Sequence, residues 1–292
     1  YPEDEKAREA AVLSDMMAAR AEGETRRPSV ETLLHDSFPH RYVLHLHPTL
    51  VNGVTCSVAA QKTLARLFPE AVFVDNAKPG YTLAALCREK IEVYKKEKGS
   101  CPDTVCLQNH GVFFAADTTE QLDSMVAHVM ETIDAHITAR PDLSETVTDT
   151  KKADAFALAL SKLYGGEVIY CSAACVLNNS NITLTLTPDH IVYCKAMPLI
   201  ISEDDDLERA FTDFEDKNGY KPKVVYVGGI GAFCCGATKA EASTATAVML
   251  DAVSISVYAD SFGGLSSMPA WLVDFIVNWE VESYRAKVAL GK

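Results

Sequence analysis

The stretch Glu31–Pro48, ETLLHDSFPHRYVLHLHP, holds four of the chain's eight histidines, with a lone glutamate at its head. Its first part carries helix-start signals in the preceding Pro28 and Ser29, and apolar positions at Leu33 and Leu34. Its second part, RYVLHLHP, is rich in β-forming residues and is stopped by Pro48, so it reads as a strand. A helix feeding a strand, with the alternation continuing on both sides, is the pattern of an α/β protein.

Outward from that stretch, residues 3–20 have helical spacing and end before Gly23. LVNGVTCSVAAQKTLARLF is expected to be helical through its second half, and AVFVD to be a short strand. KPGYTLAALCREKIEVYKKEK turns at Pro79-Gly80 and becomes a helix. DTVCLQNHGVFFAAD reads as two strands hinged at Asn109-His110-Gly111, and TTEQLDSMVAHVMETIDAHITAR as a long helix capped by Thr118 or Thr119. After the polar stretch 141–151 the pattern restarts. A helix over 152–164 leads to GEVIYCSAA, and NITLTLTPDHIVYCKAMPLI is expected to give strands. An acidic helix, the strand and turn KVVYVGGIG, a long helix and a last amphipathic helix MPAWLVDFIVNWEVESYRAKVA complete the chain. The expectation is a central β-sheet flanked by helices over residues 1–150, followed by a second, smaller α/β region over 151–292, with no internal repeat.

Composition excludes several classes. The chain has 292 residues and a net charge of −13, and it lacks the basic stripe by which proteins grip nucleic acid. No window approaches eighteen uninterrupted apolar residues, so no membrane span is expected. The opening YPEDEKAREA is acidic and polar, unlike a signal peptide. The nine cysteines include no C-x-x-C pair, and most lie in apolar, strand-like contexts such as TVCLQ and IVYCK. They are expected to be reduced and buried, as in a cytoplasmic protein.

His45 and His47 sit two apart on the expected strand, so both side chains share one face. Two imidazoles so placed can approach one cation, but the same pair can also be two histidines on a solvated face. His110 stands at the strand-to-strand hinge before Gly111, free either to face a pocket or to be satisfied by backbone. A three-histidine site with an open fourth position suits catalytic zinc. Locally, Glu31 reads as a helix-capping or dipole-complementing residue.

Taken in order, PSVETLLH, VLHLHP and LQNHG resemble the class II aldolase/adducin family, which includes the fuculose-1-phosphate and rhamnulose-1-phosphate aldolases. KPGYTLA and TTEQLDSMVAHVMETIDA fit the same resemblance. LTPDHIVYCK, GGIGAFCCGATKAEA and DFIVNWEVESYR are similar to the extended branch of rhamnose-utilisation bifunctional aldolase/dehydrogenases. The resemblance implies a divalent metal, zinc by expectation, on His45, His47 and His110. It implies Glu31 as the catalytic acid/base and Ser29 as a substrate-phosphate contact, with structural roles left to His35 and His40. The implied reaction is cleavage of a ketose 1-phosphate or related sugar to dihydroxyacetone phosphate and an aldehyde, through a metal-stabilised enediolate. It also implies a homo-oligomer acting on a small sugar phosphate, while the charge and hydropathy above argue against a nucleic-acid or membrane partner.

Three other readings remain beside it. Adducin-like members share the fold and serve as binding or scaffolding modules. Related enzymes are sugar-phosphate epimerases or decarboxylases. The strand and Gly-rich turn VVYVGGIGAFCCGATKAEA looks like part of a dinucleotide fingerprint, but Cys234 stands where a further glycine is needed. The acidic run EDDDLE lacks the spacing and glycine of a calcium loop and reads as a helix start.

Overall fold

The computed structural model describes residues 1–146, 149–179 and 182–279. In the first half, helix α1 (Glu5–Ala18) and the single turn α2 (Thr32–His35) precede strand β1 (Tyr42–Leu46). Helices α3 (Thr49–Thr55) and α4 (Ala60–Leu67), strand β2 (Val72–Val74) and helix α5 (Tyr81–Lys98) follow. Strands β3 (Thr104–Leu107) and β4 (Gly111–Ala116) form the hinged pair, and helix α6 (Thr119–Asp134) closes the half. Thr118 caps α6 through a full capping box with Gln121. The region around Val51–Thr55 is helical as well, so the expectation that only the second half of that stretch is helical is corrected; Pro48 supplies the extended N-cap.

In the second half come α7 (Thr150–Tyr164), β5 (Glu167–Cys171), α8 (Ala174–Leu177), α9 (Pro188–Cys194) and β6 (Leu199–Ile201). Then come α10 (Leu207–Asn218), β7 (Val224–Val227), β8 (Gly231–Gly236), α11 (Lys239–Ala259) and α12 (Ala270–Asn278). The expectation of strands through NITLTLTPDHIVYCKAMPLI holds only at its end, where β6 begins at Leu199; residues 182–187 form no strand, and Pro188–Cys194 is helix α9. Ile191 and Val192 favour a strand locally, but Thr187 at the N-cap, Pro188 at the first helical position and His190 closing a capping box start a helix instead. The last expected helix is α12 over its first part; its remainder from residue 280 lies outside the described residues.

The two sheets have the same strand order, β1-β4-β3-β2 and β5-β8-β7-β6, with the same mixture of parallel and antiparallel pairs. The agreement extends to single hydrogen bonds. Gln108 N donates to Val74 O as Gly228 N donates to Ile201 O. His110 N donates to Leu107 O as Ile230 N donates to Val227 O, and Ala115 N to Asp103 O as Cys235 N to Lys223 O. The chain therefore does contain an internal structural repeat, contrary to the sequence expectation. The two copies share a hydrogen-bond framework but few side chains, and the motif residues differ, so the repeat is invisible to inspection of letters.

The second copy carries other residues where the first has its clustered histidines. Through the strand registers, Tyr170 occupies the place of His45, and Ile230 that of His110. Ser172 follows β5 as His47 follows β1. The Tyr170 hydroxyl donates to Ile230 O at 2.7 Å, filling that end of the sheet. The Gly-rich turn 228–231 joins two antiparallel strands rather than a strand and a helix, so it is not a dinucleotide turn.

The halves share a continuous core. Cys56 of the first half is buried among Cys175, Leu186, Met249 and Val253 of the second. Helix α11 packs on β8, β5, α3 and α9. With the 3-10 turn after it, this is the one helix among the described residues long and apolar enough to cross a membrane. It carries Asp251, bound by Thr49, and buries Ala242, Ala245, Met249 and Ala252 within the chain, as a core helix does. All nine cysteines are free, and seven are buried.

Candidate metal centre

Glu31, His45, His47 and His110 come together at the end of the first sheet, their ligand atoms all within 4.8 Å of one another. Strand β1 and the residue after it deliver His45 and His47 to one face, and the β3–β4 turn delivers His110 opposite them. The turn works differently from the sequence expectation. Asn109, not Gly111, takes the left-handed backbone, with φ +52°. The Asn109 side chain is anchored, donating to Ser266 O at 2.8 Å and accepting from Asn76 Nδ2 at 3.3 Å. Gly111 is needed for close approach: a Cβ there would meet the Leu46 carbonyl and stand 2.5 Å from the His47 ring.

The imidazoles are oriented by their outer nitrogens. His45 Nδ1 donates to Val112 O at 3.0 Å, and His47 Nδ1 donates to Asp189 Oδ2 at 2.6 Å. Both oxygens only accept, so each Nδ1 carries a proton that is directed away from the cluster. These two Nε2 atoms lie 2.9 Å apart. His110 Nε2 is buried with no hydrogen-bond partner among the described residues. Burial first, and then the neighbouring His110, push His45 down to about 3. Burial likewise lowers His110, against the opposing pull of Glu31. At neutral pH His45 and His110 are therefore uncharged, with lone pairs available in a confined space. Three imidazole nitrogens and one carboxylate form a donor set suited to a divalent cation such as zinc.

Glu31 heads α2, but its carboxylate makes no cap bond to that helix. Its Oε1 lies 3.9 Å from His45 Nε2 and 3.8 Å from His110 Nε2. The helix-cap reading is thus displaced by one in which the carboxylate faces the histidines. Ser29 Oγ accepts from Glu31 N at 3.2 Å, which ties the PSVE turn to the site without bringing Ser29 into the histidine cluster. His35 packs edge-on against Phe113, which stacks on His45, and so supports the cluster from behind. His40 is likewise not part of the cluster. A small cleft beside His110 is lined from both halves, by Gln108 and Asn109 on one side and Pro188 and Met268 on the other.

Sequence reasoning missed Asp189. Its signal was present in TPDH, a helix-start pattern that places an acidic side chain in the first turn of α9. Nothing in the letters said that this turn faces a strand 142 positions earlier.

Residues 3–137 match the family model of the Class II Aldolase and Adducin N-terminal domain, a span containing all four clustered residues. The chain is 20% identical, over 315 aligned positions, to the protein named Uncharacterized oxidoreductase YuxG of Bacillus subtilis (strain 168). That alignment covers 90% of this chain and 45% of YuxG, so the chain spans under half the length of that relative. The chain is also similar to the solved N-terminal class II aldolase domain of a conserved protein from Thermoplasma acidophilum. That likeness has 22% identity, covers 44% of this chain and 56% of the other, and has a TM-score of 0.38.

Proposed function

With residues 3–137 belonging to the class II aldolase and adducin family, we propose that the chain is a metal-dependent aldolase that cleaves a ketose 1-phosphate or related sugar to dihydroxyacetone phosphate and an aldehyde. The observation that carries the reading is the clustering of three imidazole nitrogens and one carboxylate within 4.8 Å of one another. His45, His47 and His110 would hold a divalent cation, with zinc the ion their chemistry favours. When bound, such a cation polarises a carbonyl oxygen and offsets the negative charge that develops on it.

The remaining work belongs to the chain's own side chains. Glu31 stands beside two ligand nitrogens without being required as a ligand, so it can take and return a proton at the substrate carbon next to the carbonyl. Buried Phe113 and Val112, with the half-buried His35 packed on Phe113, keep His45 dry and fixed. Ser29, on the turn that carries Glu31, is proposed to contact the substrate's phosphate. Self-association completes the proposal. α12 buries Leu272 and Ile276 against its own chain yet leaves Trp271 and Val277 about half exposed, at 48% and 45%.

The test is direct. Purified protein is supplied with several ketose 1-phosphates, with and without a chelator, and dihydroxyacetone phosphate is measured by a coupled assay. Metal-dependent release from at least one substrate is expected. A chain that carries the metal but releases nothing from any of them points to the scaffold or epimerase readings. Light scattering on the same sample reports the oligomer.

A further inference from the structure

We propose that Asp189, from the second half of the chain, is a positioning residue for the metal ligand His47, so that the metal centre of the first half is complete only with the degenerate second copy packed against it. The inference rests on the metal-centre reading above.

The contact is short and directional. Asp189 Oδ2 lies 2.6 Å from His47 Nδ1, the nitrogen that faces away from the other histidines. Asp189 is therefore behind the ligand rather than among the ligands. A carboxylate accepts and cannot donate, so it holds the proton on Nδ1 and leaves the Nε2 lone pair turned into the cluster. A carboxylate hydrogen-bonded to the outer nitrogen of a ligating histidine fixes both tautomer and ring angle, and raises the basicity of the inner nitrogen. His45 gets the corresponding support from the Val112 carbonyl within its own half. His47, beyond the end of β1, has no such strand carbonyl, and the second half supplies the acceptor.

The placement of Asp189 is over-determined. Thr187 N and Oγ1 both engage His190 Nδ1, at 3.2 and 2.7 Å, and this fixes the start of α9 on which Asp189 sits. With Nδ1 accepting from the backbone, His190 Nε2 carries the proton and lies 3.2 Å from Asp251 Oδ2. The other oxygen of Asp251 accepts from Thr49 Oγ1 at 2.5 Å. The segment His47-Pro48-Thr49 is thus held at both ends by the second half, at His47 by Asp189 and at Thr49 by Asp251. In the second copy itself, Ser172 stands where His47 would be. That copy has the framework without the histidines, while its α9 serves the site next door.

The experiment compares wild type with Asp189→Asn and Asp189→Ala, full-length, by zinc competition against a chromogenic chelator and by the visible spectrum of the cobalt-substituted protein. Metal-free thermal midpoints are read alongside. An amide can turn its NH₂ toward Nδ1 and reverse the tautomer, so Asp189→Asn perturbs the ligand with minimal change of shape. Both variants should bind zinc about 10–100-fold more weakly, with an altered cobalt spectrum, and Asp189→Glu should recover part of the loss. Should Asp189→Ala fail to fold, Asp189→Asn decides. Wild-type zinc affinity in a folded Asp189→Asn protein overturns the inference alone, and so does weaker binding with an unchanged cobalt spectrum, which would mark a general loosening. A wild-type chain that holds neither zinc nor cobalt overturns the metal-centre reading and this inference together.

Discussion

His45 and His47 face each other through Nε2 atoms 2.9 Å apart, while an oxygen holds the Nδ1 of each ring from outside. Burial keeps His45 neutral down to about pH 3, so its Nε2 offers a lone pair to whatever the cluster holds. A divalent cation satisfies both nitrogens and also the orphaned Nε2 of His110.

The first prediction follows from that geometry. Wild-type protein should carry one divalent metal per chain, and His45→Ala, His47→Ala or His110→Ala should each remove most of it. Elemental analysis after exhaustive purification checks this. Added zinc should raise the thermal midpoint of wild type, and a chelator should lower it, because a ligand that binds only the folded state stabilises it by mass action. The midpoints of the three variants should not respond. Full metal occupancy in His110→Ala would remove that residue from the ligand set.

Gly111→Ala should damage the metal centre without removing a ligand. Its Cβ would press on the Leu46 carbonyl and the His47 ring, so either β1 or the imidazole must shift. Overpacking of this kind costs about 1–3 kcal/mol. The variant should lose stability in denaturant titration and lose zinc affinity together. In the second copy Gly231 is hemmed in likewise, by the Cys171 carbonyl and the Tyr170 ring, but no ligand stands there. Gly231→Ala should therefore cost stability and spare metal binding.

The cysteines give a third prediction. Burial raises Cys56, Cys87, Cys106, Cys194 and Cys235 to about 12, and with only the thiolate reactive, these groups are slow nucleophiles. Against an ordinary thiol, the ionised fraction at pH 8 falls by about three orders of magnitude. Titration with a thiol-reactive chromophore in native buffer should find at most the two partly exposed groups, Cys101 and Cys171, reacting quickly. All nine should react after denaturation. Since thiolate grows as pH rises, native labelling should quicken with pH. Rapid native labelling of a third thiol would mean that part of the core opens.

The sequence was informative about the site because its geometry is local in kind. Period-two alternation puts His45 and His47 on one face, and Asn109-His110-Gly111 announces a turn. Two features were not legible for the same physical reason. The facing of α9 toward His47 depends on how the two halves pack, which no local pattern encodes. The repeat resides in backbone hydrogen bonds, such as those of Gln108 and Gly228, which many side chains permit. The misreading of IVYCK shows the related hazard: β-branched residues signalled a strand, while the cap at Thr187 and Pro188 imposed a helix.

The last prediction concerns Glu31, whose loss should remove turnover and leave the metal in place. Its Oε1 lies 3.8–3.9 Å from the Nε2 atoms of His45 and His110, near enough to meet a substrate bound beside a cation there. A proton shuttle acts in the transition state, so its removal should lower kcat far more than it raises KM. General acid/base groups contribute about 10²–10⁴-fold, and Glu31→Gln should fall by that factor. The amide keeps the shape and can still hydrogen-bond, but it cannot accept the proton. Cleavage of ketose 1-phosphates and metal content should be measured in the same samples, so that a lost proton shuttle is told apart from a lost metal. Glu31→Asp, which keeps the carboxylate but draws it back by one methylene, should recover part of the rate. Near wild-type cleavage by Glu31→Gln with the metal bound would assign the proton transfer to another group in the pocket and return Glu31 to a purely structural place at the head of α2.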